Sequence, residues 1–243
     1  SESWFNANKQ IKNYERTVPE LYKYIQVGIA AESQAKYFPI VPWQEEVKTH
    51  EWREEGLDSI DSMIVMLSRD TLLDIVKNFL FFRVEFGNAT KVITRYMQYR
   101  ASNKIVLRVI ENLRRDRSPN GLKDKGLIWH WQGSGKTLTM IFAANKLYYM
   151  RELENPTIFF IVDRIELEDQ LYSEFYALDI VEPEIIGSVW ELKDILKFDD
   201  YRSKRGIFII LIHKFRPEEL KEVYGELEKV SRRKETIMNR RNV

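Results

Sequence analysis

Residues 127–144 read Leu127-Ile-Trp-His-Trp-Gln-Gly-Ser-Gly-Lys-Thr-Leu-Thr-Met-Ile-Phe-Ala-Ala144. A short apolar run leads into two closely spaced glycines, and a segment of helix formers leads out, which predicts a buried strand, a tight turn and a helix. This is the context of a phosphate-binding P-loop, G-x-x-x-x-G-K-[ST]. The pattern fits except that His130 stands where its first glycine is usual. The alternative is a glycine-rich turn that binds nothing.

The residue types of this loop suit a triphosphate. Gly133 and Gly135 lack a Cβ, so they can adopt the dihedral angles that aim several backbone N–H groups at one phosphate. The helix that follows adds its positive N-terminal end. Lys136 is expected against the β- and γ-phosphates, and the Thr137 hydroxyl is expected to bind Mg²⁺.

Composition limits the class of protein. The chain has 243 residues, of which 44% are hydrophobic and 31% charged, as in ordinary globular proteins with one large or two modest domains. Its longest apolar run, residues 207–212, is too short for a membrane span. The absence of cysteine excludes disulfides and thiolate metal sites and fits a cytosolic protein. Because the net charge is only +1, any DNA contact must come from local patches.

After the P-loop, apolar runs alternate with helical segments. Strands are predicted at 157–162, 183–188 and 206–212, and a helix at 166–177. Alternation of this kind predicts an α/β fold with a parallel sheet covered by helices on both faces. Arg164 follows the first of these strands, at the carboxyl end where ligands of such sheets bind. It could meet substrate there, or form an ion pair with Asp163 or Glu168.

In the first half of the chain a helical stretch is followed by an extended run at residues 24–31 and then by further predicted helices. Gln10 and Tyr14 lie four residues apart on one helix, and taken alone they would be a surface pair. Ser68 is predicted to cap a second helix, and residues 90–115 are predicted to form a third. In that helix the amide of Gln98 would complement the edge of adenine, although a surface glutamine is the alternative.

A hydrolytic carboxylate is missing from the pattern. P-loop ATPases place an acidic residue on a later strand, where it holds Mg²⁺ and orients water. No apolar strand after the P-loop ends in Asp-Glu. The expectation is therefore that the chain stops before its second catalytic motif.

Four segments together resemble the motor (restriction, R) subunit of type I restriction endonucleases. They are residues 95–101 (Arg-Tyr-Met-Gln-Tyr-Arg-Ala), 126–140 (the P-loop segment), 160–171 (Phe-Ile-Val-Asp-Arg-Ile-Glu-Leu-Glu-Asp-Gln-Leu) and 209–215 (Ile-Ile-Leu-Ile-His-Lys-Phe). The resemblance implies a RecA-like, superfamily 2 P-loop NTPase domain at 126–243. It also implies the C-terminal part of a restriction-endonuclease-like α/β nuclease domain at 1–45 and a helical connector at 46–125.

The resemblance also assigns roles to individual residues. Gln98 matches the family's adenine-reading glutamine, and Arg164 lies in a motif near the DNA backbone. Gln10 and Tyr14 match the Q-x-x-x-Y element behind the nuclease carboxylates. The ATP and Mg²⁺ site would comprise Gly133, Ser134, Gly135, Lys136 and Thr137, with Thr137 on the metal.

The implied function is ATP-driven translocation of double-stranded DNA followed by remote cleavage. The implied partners are the methyltransferase (modification) and specificity subunits, in a bacterial or archaeal cytoplasm and without a membrane. The nuclease carboxylates would precede Ser1 and the Asp-Glu-Ala-His box would follow Val243, so these residues alone are expected to be inactive. The alternatives are another superfamily 2 translocase or helicase, a P-loop kinase, and a non-enzymatic assembly module built on residues 68–115.

Overall fold

The computed structural model describes residues 4–44, 47–85, 87–114, 126–201 and 204–215, together with residues 218, 219, 221, 222 and 225. The chain divides into two compact units, Ser1–Asn103 and Lys104–Val243. No helix among the described residues is long and apolar enough to cross a membrane. The predicted end of the motor domain, residues 226–243, lies outside the described residues.

The first unit combines helices with two antiparallel hairpins, β1–β2 and β3–β4. Its elements are α1 (Trp4–Thr17), α2 (Pro19–Tyr22), β1 (Val27–Ala31), β2 (Ala35–Pro39), α3 (Ser59–Met66), α4 (Arg69–Asn78), β3 (Leu80–Glu85), β4 (Asn88–Ile93) and the start of α5 (Tyr96–Arg114).

Local chemistry explains where α3 and α4 begin. The Asp58 carboxylate accepts the backbone N–H groups of Ile60 and Asp61, which satisfies two donors at the start of α3. α4 follows Ser68, as the sequence predicts, but the Ser68 hydroxyl donates to the Thr71 hydroxyl and does not cap the backbone.

One aromatic cluster joins segments that the sequence assigns to different domains. The buried indole of Trp52 lies 5.9 Å from the ring of Tyr37, 5.2 Å from Tyr96 and 5.1 Å from Tyr99. Such ring pairs contribute beyond the apolar area they bury. Residues on both sides of the predicted 45/46 boundary therefore share one core, while the three-domain division itself stays a prediction.

The predicted helical connector is wrong in part, because it contains the β3–β4 hairpin. Residues 90–93, which the sequence assigns to a helix, pair with residues 80–83, with Leu80 opposite Ile93 and Arg83 opposite Thr90. β-branched residues at these positions favour a strand, and Gly87, with φ 80°, permits the turn. The predicted helix is present as α5, but it begins only at Tyr96.

The second unit contains a parallel sheet in the order β5-β7-β6. The elements are the rest of α5, α6 (Lys136–Tyr148), β5 (Thr157–Val162), α7 (Ile165–Ala177), β6 (Glu184–Ile186), α8 (Val189–Tyr201) and β7 (Gly206–Leu211). The predicted parallel α/β arrangement is confirmed for these strands. The nuclease-like character of the first unit stays a prediction.

Helices cover both faces of this sheet. Phe208 belongs to a core cluster with Leu192 and Ile195 of α8, and Phe159 packs beside it. Phe160, the next residue along β5, packs its ring against Phe175 of α7 at 5.4 Å. Because successive strand residues point to opposite faces, α7 and α8 lie on opposite sides.

The predicted strand before the P-loop is not formed. Residues 126–131 have no regular structure, and the side chains of Leu127 and Trp129 are 93% and 81% exposed. A strand is stable only when a neighbour satisfies its backbone groups and covers its side chains. Among the described strands, none pairs with this segment, so its apolar composition alone does not produce a strand.

Candidate nucleotide-binding site

The glycines of the loop adopt the conformation for which they were predicted. Gly133 has φ 78° and Gly135 has φ 83°, both in the left-handed region that favours glycine. A Cβ on Gly133 would meet nothing within 4 Å. The requirement for glycine at position 133 is therefore one of backbone torsion and not of space.

Two hydrogen bonds close the loop ahead of the helix. The Ser134 backbone N–H and hydroxyl donate to the Trp131 carbonyl at 3.3 and 2.7 Å. On the far side of the turn the Thr139 hydroxyl donates to the Gly135 carbonyl at 3.1 Å. These contacts hold the glycine-rich turn directly against the start of α6.

The N-terminus of α6 has the character of an anion site. Its N-cap residue is Gly135, so no side chain caps the first backbone N–H groups. Lys136 and Thr137 are the first two residues of the helix. Lys136 is exposed, and within the described part of the chain it has no ion-pair partner. Uncapped N–H groups, the helix dipole and a lysine together suit a phosphate group.

His130 is the residue that sequence reasoning noted only as a departure from the pattern. Its side chain is 9% exposed, and its Nδ1 is buried without a hydrogen-bond partner among the described residues. The flanking Trp129 and Trp131 are exposed. A single polar residue within an apolar run was the available signal, but the sequence does not indicate that this residue is the buried one.

Arg164 lies where the sequence places it, after β5 and immediately before α7. Its guanidinium Nε is 3.9 Å from a carboxylate oxygen of Asp163, and the two side chains are 73% and 63% exposed. An exposed pair at this distance contributes little. The contact therefore leaves Arg164 able to bind another anion.

Glu168 was one of the partners considered for Arg164, and the structure gives it a different one. The Lys214 ammonium donates to its two carboxylate oxygens at 2.8 and 3.0 Å. Glu168 belongs to α7, and Lys214 follows β7. The pair joins α7 to the carboxyl end of the central strand, a long-range contact that sequence spacing does not reveal.

Gln98 is not a surface residue. Only 2% of it is exposed, and its side-chain oxygen accepts the Arg95 backbone N–H at 2.8 Å, at the first turn of α5. It belongs to the Ser1–Asn103 unit, whereas the P-loop belongs to the other. Its adenine-reading role stays a prediction.

Gln10 and Tyr14 form the contact that their spacing predicts. The Gln10 amide donates to the Tyr14 hydroxyl at 2.7 Å on an exposed part of α1. Among the described residues no group of three or more His, Asp or Glu side chains could hold a metal. The nuclease role of this pair also stays a prediction.

Comparison with known proteins agrees with the geometry of the loop. Residues 97–241, more than half of the chain, match the SWI2/SNF2 ATPase family. The chain is 34% identical to the type I restriction enzyme MjaVIIIP endonuclease subunit of Methanocaldococcus jannaschii, over 94% of this chain and 24% of that protein. It is also 34% identical to the MjaVIIP endonuclease subunit of the same organism, over 91% of this chain and 22% of that protein.

A bacterial relative extends the comparison. The type I restriction enzyme HindI endonuclease subunit of Haemophilus influenzae is 30% identical over 86% of this chain and 20% of that protein. The chain thus spans about a quarter or less of the length of these relatives. The resemblance found in the sequence is confirmed. The chain belongs to the SWI2/SNF2 ATPase family, and its relatives are type I restriction enzyme endonuclease subunits.

Proposed function

We propose that this chain is part of the motor and nuclease subunit of a type I restriction-modification complex, and that it contributes the triphosphate site of an ATP-dependent DNA translocase. The observation that carries the proposal is the P-loop. Gly133 and Gly135, both with positive φ, form the turn that leads into the uncapped N-terminus of α6. The first two residues of that helix are Lys136 and Thr137. The SWI2/SNF2 match and the names of the relatives support the choice of DNA translocation over other uses of ATP.

Each loop residue has a defined task in this proposal. The backbone N–H groups of residues 133–135 and the first turn of α6 bind phosphate oxygens. Lys136 neutralises charge on the β- and γ-phosphates, and the Thr137 hydroxyl is a ligand for Mg²⁺. A Mg²⁺ ion held there would supply positive charge that offsets the negative charge of the phosphates. The hard oxygen of a threonine fits that ion.

The roles of the remaining predicted residues belong to the same proposal. Gln98 reads adenine, Arg164 contacts the DNA backbone, and Gln10 with Tyr14 supports the nuclease carboxylates. The whole subunit works with the modification and specificity subunits in the cytoplasm and cuts DNA remotely. These 243 residues alone bind nucleotide without hydrolysing it at a useful rate, because no apolar strand after the P-loop ends in Asp-Glu.

Nucleotide titration tests the site directly. Wild-type protein is titrated with a fluorescent ATP analogue in the presence of Mg²⁺, alongside Lys136→Ala and Lys104→Ala. Lys104 is a matched control, because it is also exposed, belongs to the same unit and begins no helix. A hydrogen bond to a charged group contributes about 1.5–3 kcal/mol, so Lys136→Ala should weaken binding roughly 10- to 100-fold. Equal affinities of the two variants would contradict the proposal.

The family match itself supports a second candidate, a superfamily 2 translocase outside restriction systems. The full-length protein distinguishes the two. If the chain belongs to a restriction subunit, ATP hydrolysis should require the modification and specificity subunits and DNA that carries their recognition site. A translocase of another kind hydrolyses ATP on any duplex without those partners.

A further inference from the structure

A cavity of about 540 Å³ in the first unit is lined mainly by cations. Its lining includes His50 together with four basic side chains and one carboxylate: Lys36, Lys48, Arg53, Arg95 and Glu51. None of the roles proposed above uses these residues. A surface so unbalanced in charge in a chain of net charge +1 calls for an anionic partner.

Backbone pairing brings these side chains together from three segments. His50 forms an antiparallel bridge with Tyr37 of β2, through N–H···O bonds of 2.8 and 2.9 Å. The bridge therefore places the segment that carries Lys48 and Glu51 antiparallel to β2, which carries Lys36. The Tyr37 hydroxyl donates to the Thr94 carbonyl at 2.8 Å, which brings the start of α5, and with it Arg95, to the same place.

The charges of the cavity are only partly compensated. Glu51 forms an ion pair with Lys36 and accepts hydrogen bonds from Arg53, one of them 2.8 Å long from Nε. Lys48 and Arg95 are exposed, and in the described part of the chain neither has an ion-pair partner. Two cations are thus left free to bind an external anion.

The cations of this cavity also act on the pKa of His50, after burial, which is the larger cause. Burial, and then the charges of Arg95, Lys48 and Lys36, lower the pKa of His50 to about 4. The ring is therefore neutral at physiological pH and adds no further charge. Glu51 and Arg53 are the other charged groups that line the cavity.

A second cavity, also about 540 Å³, extends this surface along α1. Both cavities include Thr49. The second is also lined by Lys9, Lys12 and Arg16, which lie on one face of the helix, and its lining includes no carboxylate among the described residues. Within this face, Lys12 forms an ion pair with Glu15. A row of cations suits consecutive phosphates better than a single small anion.

We propose that the surface formed by Lys48, Arg95 and the Lys9–Arg16 face of α1 binds consecutive phosphates of a double-stranded DNA backbone. Lysine and arginine side chains suit contact with phosphate oxygens, and such contacts carry no sequence information. The choice of DNA as the source of phosphate rests on the proposed function. That these cationic side chains bind phosphate does not depend on the proposed function.

Fluorescence anisotropy with a labelled 20-base-pair duplex, across a series of salt concentrations, tests this surface. The wild-type chain is compared with Lys48→Ala/Arg95→Ala and with the control Arg69→Ala/Lys77→Ala, which removes one exposed arginine and one exposed lysine from α4 in the same unit. Each lost phosphate contact lowers the slope of log K against log salt by about 0.9. The cavity variant should therefore lose about 2 from the slope and bind roughly 10-fold or more weakly, while the control keeps the wild-type slope.

The imidazole signals of His50 give a second readout, which loss of folding would not imitate. In wild-type protein, added duplex should raise the pKa of His50, because bound phosphate offsets the cations that lower it. In Lys48→Ala/Arg95→Ala the pKa should start higher and remain there when duplex is added. An unchanged His50 titration in wild-type protein that binds duplex overturns the assignment of this surface.

The remaining outcomes separate this inference from the proposed function. Equal salt slopes for the cavity variant and the control, or no duplex binding by the wild-type chain, overturn the surface and leave the P-loop proposal intact. ATP binding that depends on Lys48 and Arg95 but not on Lys136 overturns both. Duplex binding through the cavity, combined with ATP affinity that is insensitive to Lys136→Ala, supports the surface and contradicts the P-loop proposal.

Discussion

Lys214 places its ammonium nitrogen 2.8 and 3.0 Å from the two carboxylate oxygens of Glu168, whose side chain is only 8% exposed. Removing one partner of a fully buried pair costs about 3–5 kcal/mol, because it leaves a charge without compensation. Since a third of the Lys214 side chain is exposed, Lys214→Met should lower the free energy of unfolding by about 2 kcal/mol. Urea denaturation measures this loss.

The exposed Lys204–Glu184 pair, with a distance of 2.7 Å, is the control for this experiment. Lys204→Met should cost less than about 1 kcal/mol. The double variant Glu168→Gln/Lys214→Met should recover more than half of the loss, because no charge is left unpaired. Equal losses of unfolding free energy in Lys204→Met and Lys214→Met would show that burial of Glu168 does not strengthen its ion pair.

His130→Phe should stabilise the protein. The variant removes a buried nitrogen that has no hydrogen-bond partner in the described part of the chain and replaces it with an apolar ring of similar shape. A buried polar atom without a partner costs about 1–3 kcal/mol, so a gain of about 1 kcal/mol, or roughly 2–4 °C in Tm, is expected. Thermal unfolding followed by circular dichroism measures it, with the exposed His213→Phe as control. A lower Tm would mean that Nδ1 has a partner.

His50 should make the stability of the protein depend on pH. Its pKa is lowered to about 4, first by burial and then by Arg95, Lys48 and Lys36, whereas an unfolded histidine has a pKa near 6.5. Between these values the unfolded state binds more protons, so stability is complete above about pH 6.5 and is lost as pH falls towards 4. The loss attributable to His50 is at most about 3 kcal/mol.

Comparing wild type with His50→Gln, by urea denaturation at a series of pH values, measures this contribution. The variant should show a flatter profile between about pH 6.5 and 4. His213→Gln, which changes an exposed ring, should follow the wild-type profile. Parallel profiles for wild type and His50→Gln would refute the effect.

Gly28→Ala should destabilise the first unit by about 1–3 kcal/mol through overpacking. A Cβ at this position would lie 2.6 Å from Cε2 of Phe38 and 2.8 Å from Cδ1 of Ile40. Both side chains are fully buried and cannot retreat. The additional change Phe38→Leu should restore part of the loss. Gly187→Ala is the control, since the nearest atom there, a Glu191 carboxylate oxygen, is 3.6 Å away.

Local sequence patterns predicted the helices and strands whose apolar residues follow a clear helical or strand pattern. The strand at Thr157–Val162 and the helix at Ile165–Ala177 agree with the structure almost to the residue, because continuous β-branched runs and helical periodicity are local signals. The β3–β4 hairpin was missed although Gly87 lies between its strands. A turn signal of this kind is informative only when both flanking runs are read as strands.

Features that depend on contacts between distant parts of the chain could not be predicted from local sequence patterns. The run at residues 127–131 has the composition of a strand but pairs with no described strand, and pairing is a property of the whole sheet. The same holds for the cationic cavity, where Lys36, Lys48 and Arg95 converge from distant positions. Within the candidate site, the torsions of Gly133 and Gly135 followed from residue type, whereas burial of His130 did not.

The two left-handed glycines have a consequence for how tightly a ligand can bind. Their torsions are set by the chain's own bonds between Trp131 and Ser134 and by the start of α6. The conformational entropy of this turn is therefore lost when the protein folds and not when the ligand binds. A preorganised turn of this kind removes one of the costs of binding. Replacing Gly133, whose φ is 78°, with alanine should therefore weaken nucleotide binding by disturbing the turn.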